Sequence, residues 1–231
     1  MREIVLDTET TGFEPSEGHR LVEIGAVELF NHMPTGNVYH QYINPQRSMP
    51  KEAFAVHGLG DDFLRDKPLF SEIAQAFLDF IGDATLVIHN AAFDMKFLNA
   101  ELKSANMALI PFDRALDTVI MARKKFPGSP ASLDALCRRF GVDNSAREKH
   151  GALLDSEILA EVYLELIGGR QPDLVLATSQ AATKGTVTEQ ADWRPRPRAE
   201  PLLPRITDEE AAAHAAFVAK LGDGALWNKR S

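Results

Sequence analysis

A single cysteine in 231 residues, Cys137, has no partner for an internal disulfide and fits a reducing compartment. Long apolar runs are missing too, and none approaches the roughly 18 residues of a membrane-spanning helix. The first residues run straight into an apolar segment that already holds a carboxylate, Asp7. No secretory leader is therefore expected, and the cytoplasm is the expected location. Positive charge is the third shortage. Against 33 Asp and Glu stand only 25 Lys and Arg, a net charge of −8. Residues 171–231 carry eight basic and eight acidic side chains, so the whole excess lies in residues 1–170. An acidic body is a poor non-specific binder of nucleic acid, whose affinity comes mostly from phosphate contacts. Were such a chain to act on nucleic acid, it would need metal ions at the site and a partner to bring the substrate.

What is present is ordinary for a soluble globular protein, with 45% apolar and 25% charged residues. The length suits one sizeable domain with appendages. The order of elements is legible from periodicity. Ile4–Leu6, Leu21–Leu29 and Val38–Ile43 read as strands, and Pro34 and Gly36 mark residues 31–37 as the turn between the last two. Glu52–Val56 suits a single helical turn. Helical spacing follows from Ser71, an expected N-cap, to Gly82. Thr85–His89 is a short apolar run suited to a strand buried on both faces. A helix over 92–105, a strand over 115–117 and helices over 118–126, 132–140 and 152–167 complete the pattern. This order predicts an α/β fold: a mixed sheet, three antiparallel strands first and then alternating helices and strands, with helices on both faces. It is complete by about residue 169. Residues 177–200 are rich in Ala, Thr, Gln, Arg and Pro and read as a linker. Thr207-Asp-Glu-Glu210 then forms a capping box ahead of an apolar stripe ending near Leu221.

The chemistry concentrates in acids. Asp7 and Glu9, two apart on a strand, point the same way, and two adjacent carboxylates call for a cation between them. Asp94 falls in the first turn of the helix after the Thr85–His89 strand, where open α/β folds place ligands. Asp155 falls in the second turn of the helix that begins at Ala152, with His150 in the loop before it. Asp117, at a strand end, reads as a structural acid. Four carboxylates meeting at one sheet edge would carry about −4, which two divalent ions would offset, and paired ions suit in-line displacement at phosphorus. Oxygen-only ligands favour Mg²⁺ or Mn²⁺ over Zn²⁺. Histidine exchanges protons near neutrality, so His150 is the expected general base for phosphodiester hydrolysis.

Asp7-Thr-Glu9, His89-Asn-x-x-Phe-Asp94 and His150-x-x-x-x-Asp155, in this order, resemble the three motifs of the DEDDh 3′–5′ exonucleases, with no departure at the five catalytic positions. The resemblance implies a ribonuclease-H-like fold over residues 1–169. It also implies metal ligation by Asp7, Glu9, Asp94 and Asp155. Substrate contacts are implied at Asp7, Glu9, Thr10, Glu52, His57, Phe93 and Asp155. Val5–Gly12, Val87–Asp94, Ser132–Cys137 and the tail are further similar to the family of proofreading subunits of bacterial DNA polymerase III. That similarity implies a single-stranded 3′ DNA end as substrate and two protein partners. Gln171, Leu174 and Leu176, within residues 170–176, would bind the sliding clamp. Residues 201–231, Trp227 included, would bind the alpha (polymerase) subunit. A linker of residues 177–200 would span roughly 25–30 Å as a coil, so that tethering substitutes for the body's own DNA affinity. A small accessory subunit is left open. The rival readings are a free-standing DEDDh exonuclease of RNA maturation or DNA repair, and a non-catalytic scaffold.

Overall fold

A computed structural model describes residues 1–145, 147, 149–169 and 206–221. Five strands form one sheet in the order β3-β2-β1-β4-β5: β1 Arg2–Thr10, β2 Leu21–Phe30, β3 Met33–Tyr42, β4 Thr85–Ile88 and β5 Ala115–Asp117. The first three are antiparallel, and β4 and β5 run parallel to β1. Between and after them lie α1 Lys51–His57, α2 Asp61–Leu64, α3 Phe70–Ile81, α4 Ala91–Ser104, α5 Thr118–Lys125, α6 Leu133–Phe140 and α7 Ala152–Leu166. The expected mixed sheet with helices on both faces is what the chain forms.

The central strand shows how sequence sets the layers. Ile4 and Leu6 belong to one buried cluster with Phe77 and Ile81 of α3 and Phe97, Leu98 and Leu102 of α4. Val5, one residue out of phase, belongs to the other, with Leu136 and Cys137 of α6 and Leu159, Val162 and Tyr163 of α7. β1 is therefore covered on both sides, and burying each large side chain contributes about 1.5–3 kcal/mol. The period-two alternation then decides that Asp7 and Glu9 continue the α7 side.

One close approach fixes α7. Gly25 of β2 lies opposite Asp7, and a Cβ there would stand 2.2 Å from the Ala152 carbonyl carbon and the Leu153 nitrogen. Only glycine lets the start of α7 lie against the sheet. Ser156 secures it, its Oγ donating to the Gly25 carbonyl oxygen at 2.9 Å and to that of Ala152 at 2.8 Å.

Some boundaries differ from the sequence reading. The second hairpin turns at Asn31 and His32, both with positive φ (50° and 66°), and β3 runs through Pro34 and Gly36. Pro34 is tolerated because β3 is an edge strand, where a missing N–H faces solvent. Ser71 is not the N-cap of α3: the helix starts earlier, and Glu72 Oε2 accepts the Leu69 N–H at 2.7 Å. Asp155 lies in the first turn of α7, not the second.

The described residues 206–221 belong to a unit separate from the sheet. Within it, α8 Asp208–Lys220 carries the expected capping box: Thr207 Oγ1 accepts the Glu210 N–H at 3.3 Å, and the Thr207 N–H reaches Glu210 Oε2 at 2.9 Å. Gln171, Leu174, Leu176 and Trp227, and the linker of residues 177–200, lie outside the described residues.

Candidate active site

The four acids reach one end of the sheet from three elements. β1 supplies Asp7 and Glu9. Thr8, pointing to the opposite face, donates from Oγ1 to Asp94 Oδ1 at 2.7 Å, so the strand orients a helix carboxylate as well as presenting its own. Asp94 sits in the first turn of α4, which starts after Asn90 in the left-handed region (φ 66°). Asp117 holds that start in place. Its Oδ2 accepts the Ala91 N–H at 3.0 Å while its Oδ1 caps α5 through Val119 at 2.8 Å, a structural task. Asp155 comes from α7, positioned through Gly25 and Ser156.

Burial and crowding set the charge state. Glu9, Asp94 and Asp155 are buried, and Asp7 keeps a small opening to the cavity it lines. Burial, then the charges of Asp94, Glu9 and Asp155, push Asp7 well above the usual carboxylate range. Burial and then Glu23 raise Glu9 to about 8. Burial raises Asp94 to about 7 against the hydrogen bond from Thr8. Asp155 goes the other way: burial opposes its charge, but the nearby His150 ring and the hydrogen-bonding Arg147 guanidinium outweigh it and hold the carboxyl low. Ligand atoms of Glu9, His150 and Asp155 lie within 4.8 Å of one another, an acidic group able to take a metal ion. Asp7 and Asp94 stand outside that trio and act on it through their charges. The donor set is oxygen-rich and its carboxylates are buried, which fits hard divalent cations.

His150 is half exposed and lies 3.3 Å from Asp155 Oδ2 through its Nδ1. Arg147, unnoticed in the sequence because a lone arginine in a polar loop carries no signal, sits beside it with its side chain 10% exposed. Thr8 and Arg147 are the two site residues that motif spacing did not single out.

Two cavities flank these groups. One of about 250 Å³ is lined by Asp7, His89, Asp134, Arg147, His150 and Asp155. The other, about 420 Å³, is lined by Glu9, Thr10, Gly12, Glu52, His57 and Phe93 among others. All the sequence-predicted contact residues other than Asp7 and Asp155 therefore share one mostly apolar cavity, and those two face the neighbouring one. Thr10 Oγ1 donates to the Gly12 carbonyl oxygen at 2.6 Å and fixes the turn that ends β1. Burial holds the His57 imidazole pKa down, which keeps the ring neutral against the cavity.

The raised carboxylates carry a stability consequence. Asp7, Glu9 and Asp94 hold protons in the folded protein to higher pH than in the unfolded chain, where carboxyls titrate near about 4. Their contribution is complete below that value and is lost as pH rises through about 7 to 8. In EDTA the melting temperature is expected to fall between pH 5 and about 8.5, and to fall less in Asp7→Asn. Equal slopes for the two proteins would show that these acids do not repel.

Comparison with known proteins places the chain. A family model described as Exonuclease (RNase T) matches residues 4–163. DNA polymerase III subunit epsilon of Rickettsia felis is 50% identical over 224 residues, covering 96% of this chain and 97% of that one. The protein of the same name from Escherichia coli is 47% identical over 238 residues, covering 98% and 97%. Among solved structures, the nuclease domain of 3′hExo, titled a DEDDh family member bound to rAMP, superposes with a TM-score of 0.61 at 20% identity over 72% of this chain and 91% of that one. Exonuclease X in complex with 5′ overhanging duplex DNA gives 0.55 at 22% identity over 71% and 90%. These two share the fold. With its exonuclease sheet, its cluster of buried acids and near-full-length relatives at about half identity, the chain belongs to the DNA polymerase III epsilon-subunit family of exonucleases.

Proposed function

We propose that this chain is the proofreading 3′–5′ exonuclease of a bacterial replicative DNA polymerase, removing mismatched 3′-terminal nucleotides as monophosphates. The observation that carries this reading is that Asp7, Glu9, Asp94 and Asp155 lie close enough together for their charges to raise the pKa of Asp7 and Glu9, with Glu9 lining a cavity of about 420 Å³, within the volume range of small-ligand sites, and Asp7 and Asp155 lining its neighbour. The four carboxylates would hold two divalent ions, Mg²⁺ or Mn²⁺, which when bound neutralise the scissile phosphate and make a water more acidic. The chain's own groups do the rest. Phe93 and the Thr10–Gly12 turn seat the terminal nucleoside, and Glu52 and His57 contact the terminal nucleotide. His150 takes the proton of the attacking water at a ring nitrogen as the new P–O bond forms and the bond to the 3′ oxygen breaks, that oxygen leaving as the 3′ hydroxyl of the shortened strand with a proton from solvent. Unpaired ends fray at lower cost into a single-strand site, which favours mismatches.

The division of labour follows the chain: nuclease over 1–169, clamp motif over 170–176, linker over 177–200, polymerase-binding segment over 201–231. α8 supports the last assignment, since none of its residues is buried and Phe217 stays 59% exposed. A small accessory subunit is a further candidate partner of the nuclease unit.

The test is a 5′-labelled primer annealed to DNA with a matched or mismatched 3′ end. Stepwise shortening from the 3′ end is expected, faster for the mismatch, in Mg²⁺ or Mn²⁺ and absent in EDTA. Preference for structured RNA would favour a free-standing maturation nuclease instead. Removing residues 170–231 is expected to abolish co-purification with the polymerase subunit and the clamp while the nuclease rate on free single strands stays within about two-fold, because both buried clusters lie before residue 170. Retained co-purification would contradict the tail's role.

A further inference from the structure

Arg147 has no part in the reaction proposed above, yet its guanidinium makes four polar contacts at the centre. Nε donates to Asp155 Oδ1 at 2.5 Å and Nη2 to Asp155 Oδ2 at 2.8 Å. Nη2 also meets His150 Nδ1 at 2.7 Å, and Nη1 donates to Asp134 Oδ1 at 2.9 Å. The fork therefore occupies both oxygens of one candidate ligand and one nitrogen of the candidate base. It lowers the charge penalty at Asp7, Glu9 and Asp155 alike. A divalent ion at Asp155 needs an oxygen the fork now holds, and it repels the guanidinium at that range.

We propose that Arg147 is a resident cation. In the metal-free protein it stands between Asp155 and His150 in place of a divalent ion, and loading the centre requires it to swing away. Asp134 gives it somewhere to go. That carboxylate stands at the start of α6, its side chain 50% exposed, and also accepts from Asn144 Nδ2 at 3.0 Å. The Arg147–Asp134 contact can persist while the Asp155 contacts break. The device has two effects: it protects the carboxylate cluster from self-repulsion when empty, and it parks His150 against Asp155 until metal arrives. The proposal rests on Asp155 being a metal ligand.

The experiment is a calorimetric titration of the full chain with Mn²⁺ alone, comparing wild type with Arg147→Gln and Arg147→Lys. Arg147→Gln is expected to bind Mn²⁺ at least about ten-fold more tightly, with Arg147→Lys between the two because it keeps the charge and loses the fork. Equal or weaker binding by Arg147→Gln overturns the proposal. A wild type and variant that both bind no Mn²⁺ at millimolar concentration would instead sink the metal-ligand reading and, with it, this one. Should Arg147→Gln fail to fold, the wild type alone decides. The ¹⁵N resonance of Arg147 Nε–H is expected to be protected from solvent exchange in EDTA and to move and lose protection at saturating Mg²⁺. An unchanged resonance overturns the proposal.

Discussion

Asp7→Ala is expected to lose about a thousand-fold or more of the nuclease rate while melting higher than wild type in EDTA. Both effects come from one charge. The charges of Asp94, Glu9 and Asp155 act on Asp7 in a buried setting, and in the proposed function Asp7 would be one of the carboxylates that hold the ions. Metal-assisted charge stabilisation is worth several kcal/mol at the transition state, and about 4 kcal/mol corresponds to the thousand-fold. Without metal the same carboxylate only repels its neighbours, so deleting it relieves the empty site. The pairing of lost activity with gained stability is what separates a functional acid from a structural one. A variant that lost both would point to Asp7 holding the fold, and one that kept its activity would remove the catalytic reading altogether. Single-turnover rates and thermal melts of the same preparation supply both numbers.

Gly25→Ala is expected to cost about 3 kcal/mol or more in stability and about a hundred-fold in rate for the molecules that still fold. The new methyl would meet the Ala152 carbonyl carbon and the Leu153 nitrogen at 2.2 Å and the Ala152 oxygen at 2.4 Å. These are backbone atoms at the start of a helix, with no rotamer to swing aside, so α7 must shift outward. That shift breaks the Ser156 hydrogen bond to the Gly25 carbonyl and opens the buried cluster around Leu159 and Tyr163. Overpacking of this kind typically costs about 1–3 kcal/mol, and the lost hydrogen bond adds about 1 kcal/mol. Asp155, three residues beyond Ala152, moves with the helix, and about 1 Å of misplacement costs on the order of a hundred-fold in rate. Urea denaturation and turnover at low temperature measure the two effects. Stability within about 0.5 kcal/mol of wild type would mean that α7 does not rest on the sheet at this point.

Much of this site was legible because its chemistry is written at short range. The spacing of Asp7 and Glu9 on an apolar strand dictates a shared side by alternation alone, and the structure keeps it. Helix periodicity placed Asp94 at a helix start and His150 in a loop before Asp155. What escaped depends on tertiary partners. Pro34 and Gly36 look like a turn until β3 is known to be an edge strand, where both are tolerated. Ser71 looks like an N-cap until Phe70, buried in the core cluster, draws the helix start two residues earlier, to an N-cap at Leu69. Arg147 is silent in sequence, since a single arginine among polar residues becomes informative only when Asp155, Asp134 and His150 are found around it. Gly25 lies unremarked inside the Leu21–Leu29 strand, and only the position of α7 shows why no side chain fits there.

The central claim, that Asp7, Glu9, Asp94 and Asp155 hold the ions that cut the 3′ phosphodiester, is tested most directly by anomalous diffraction from crystals soaked in Mn²⁺ and a deoxynucleoside monophosphate. Two manganese peaks are predicted, both within coordination distance of Asp7, with the nucleoside in the cavity lined by Thr10, His57 and Phe93. Manganese bound away from Asp7, or no peak among the four carboxylates at saturating metal, would contradict it.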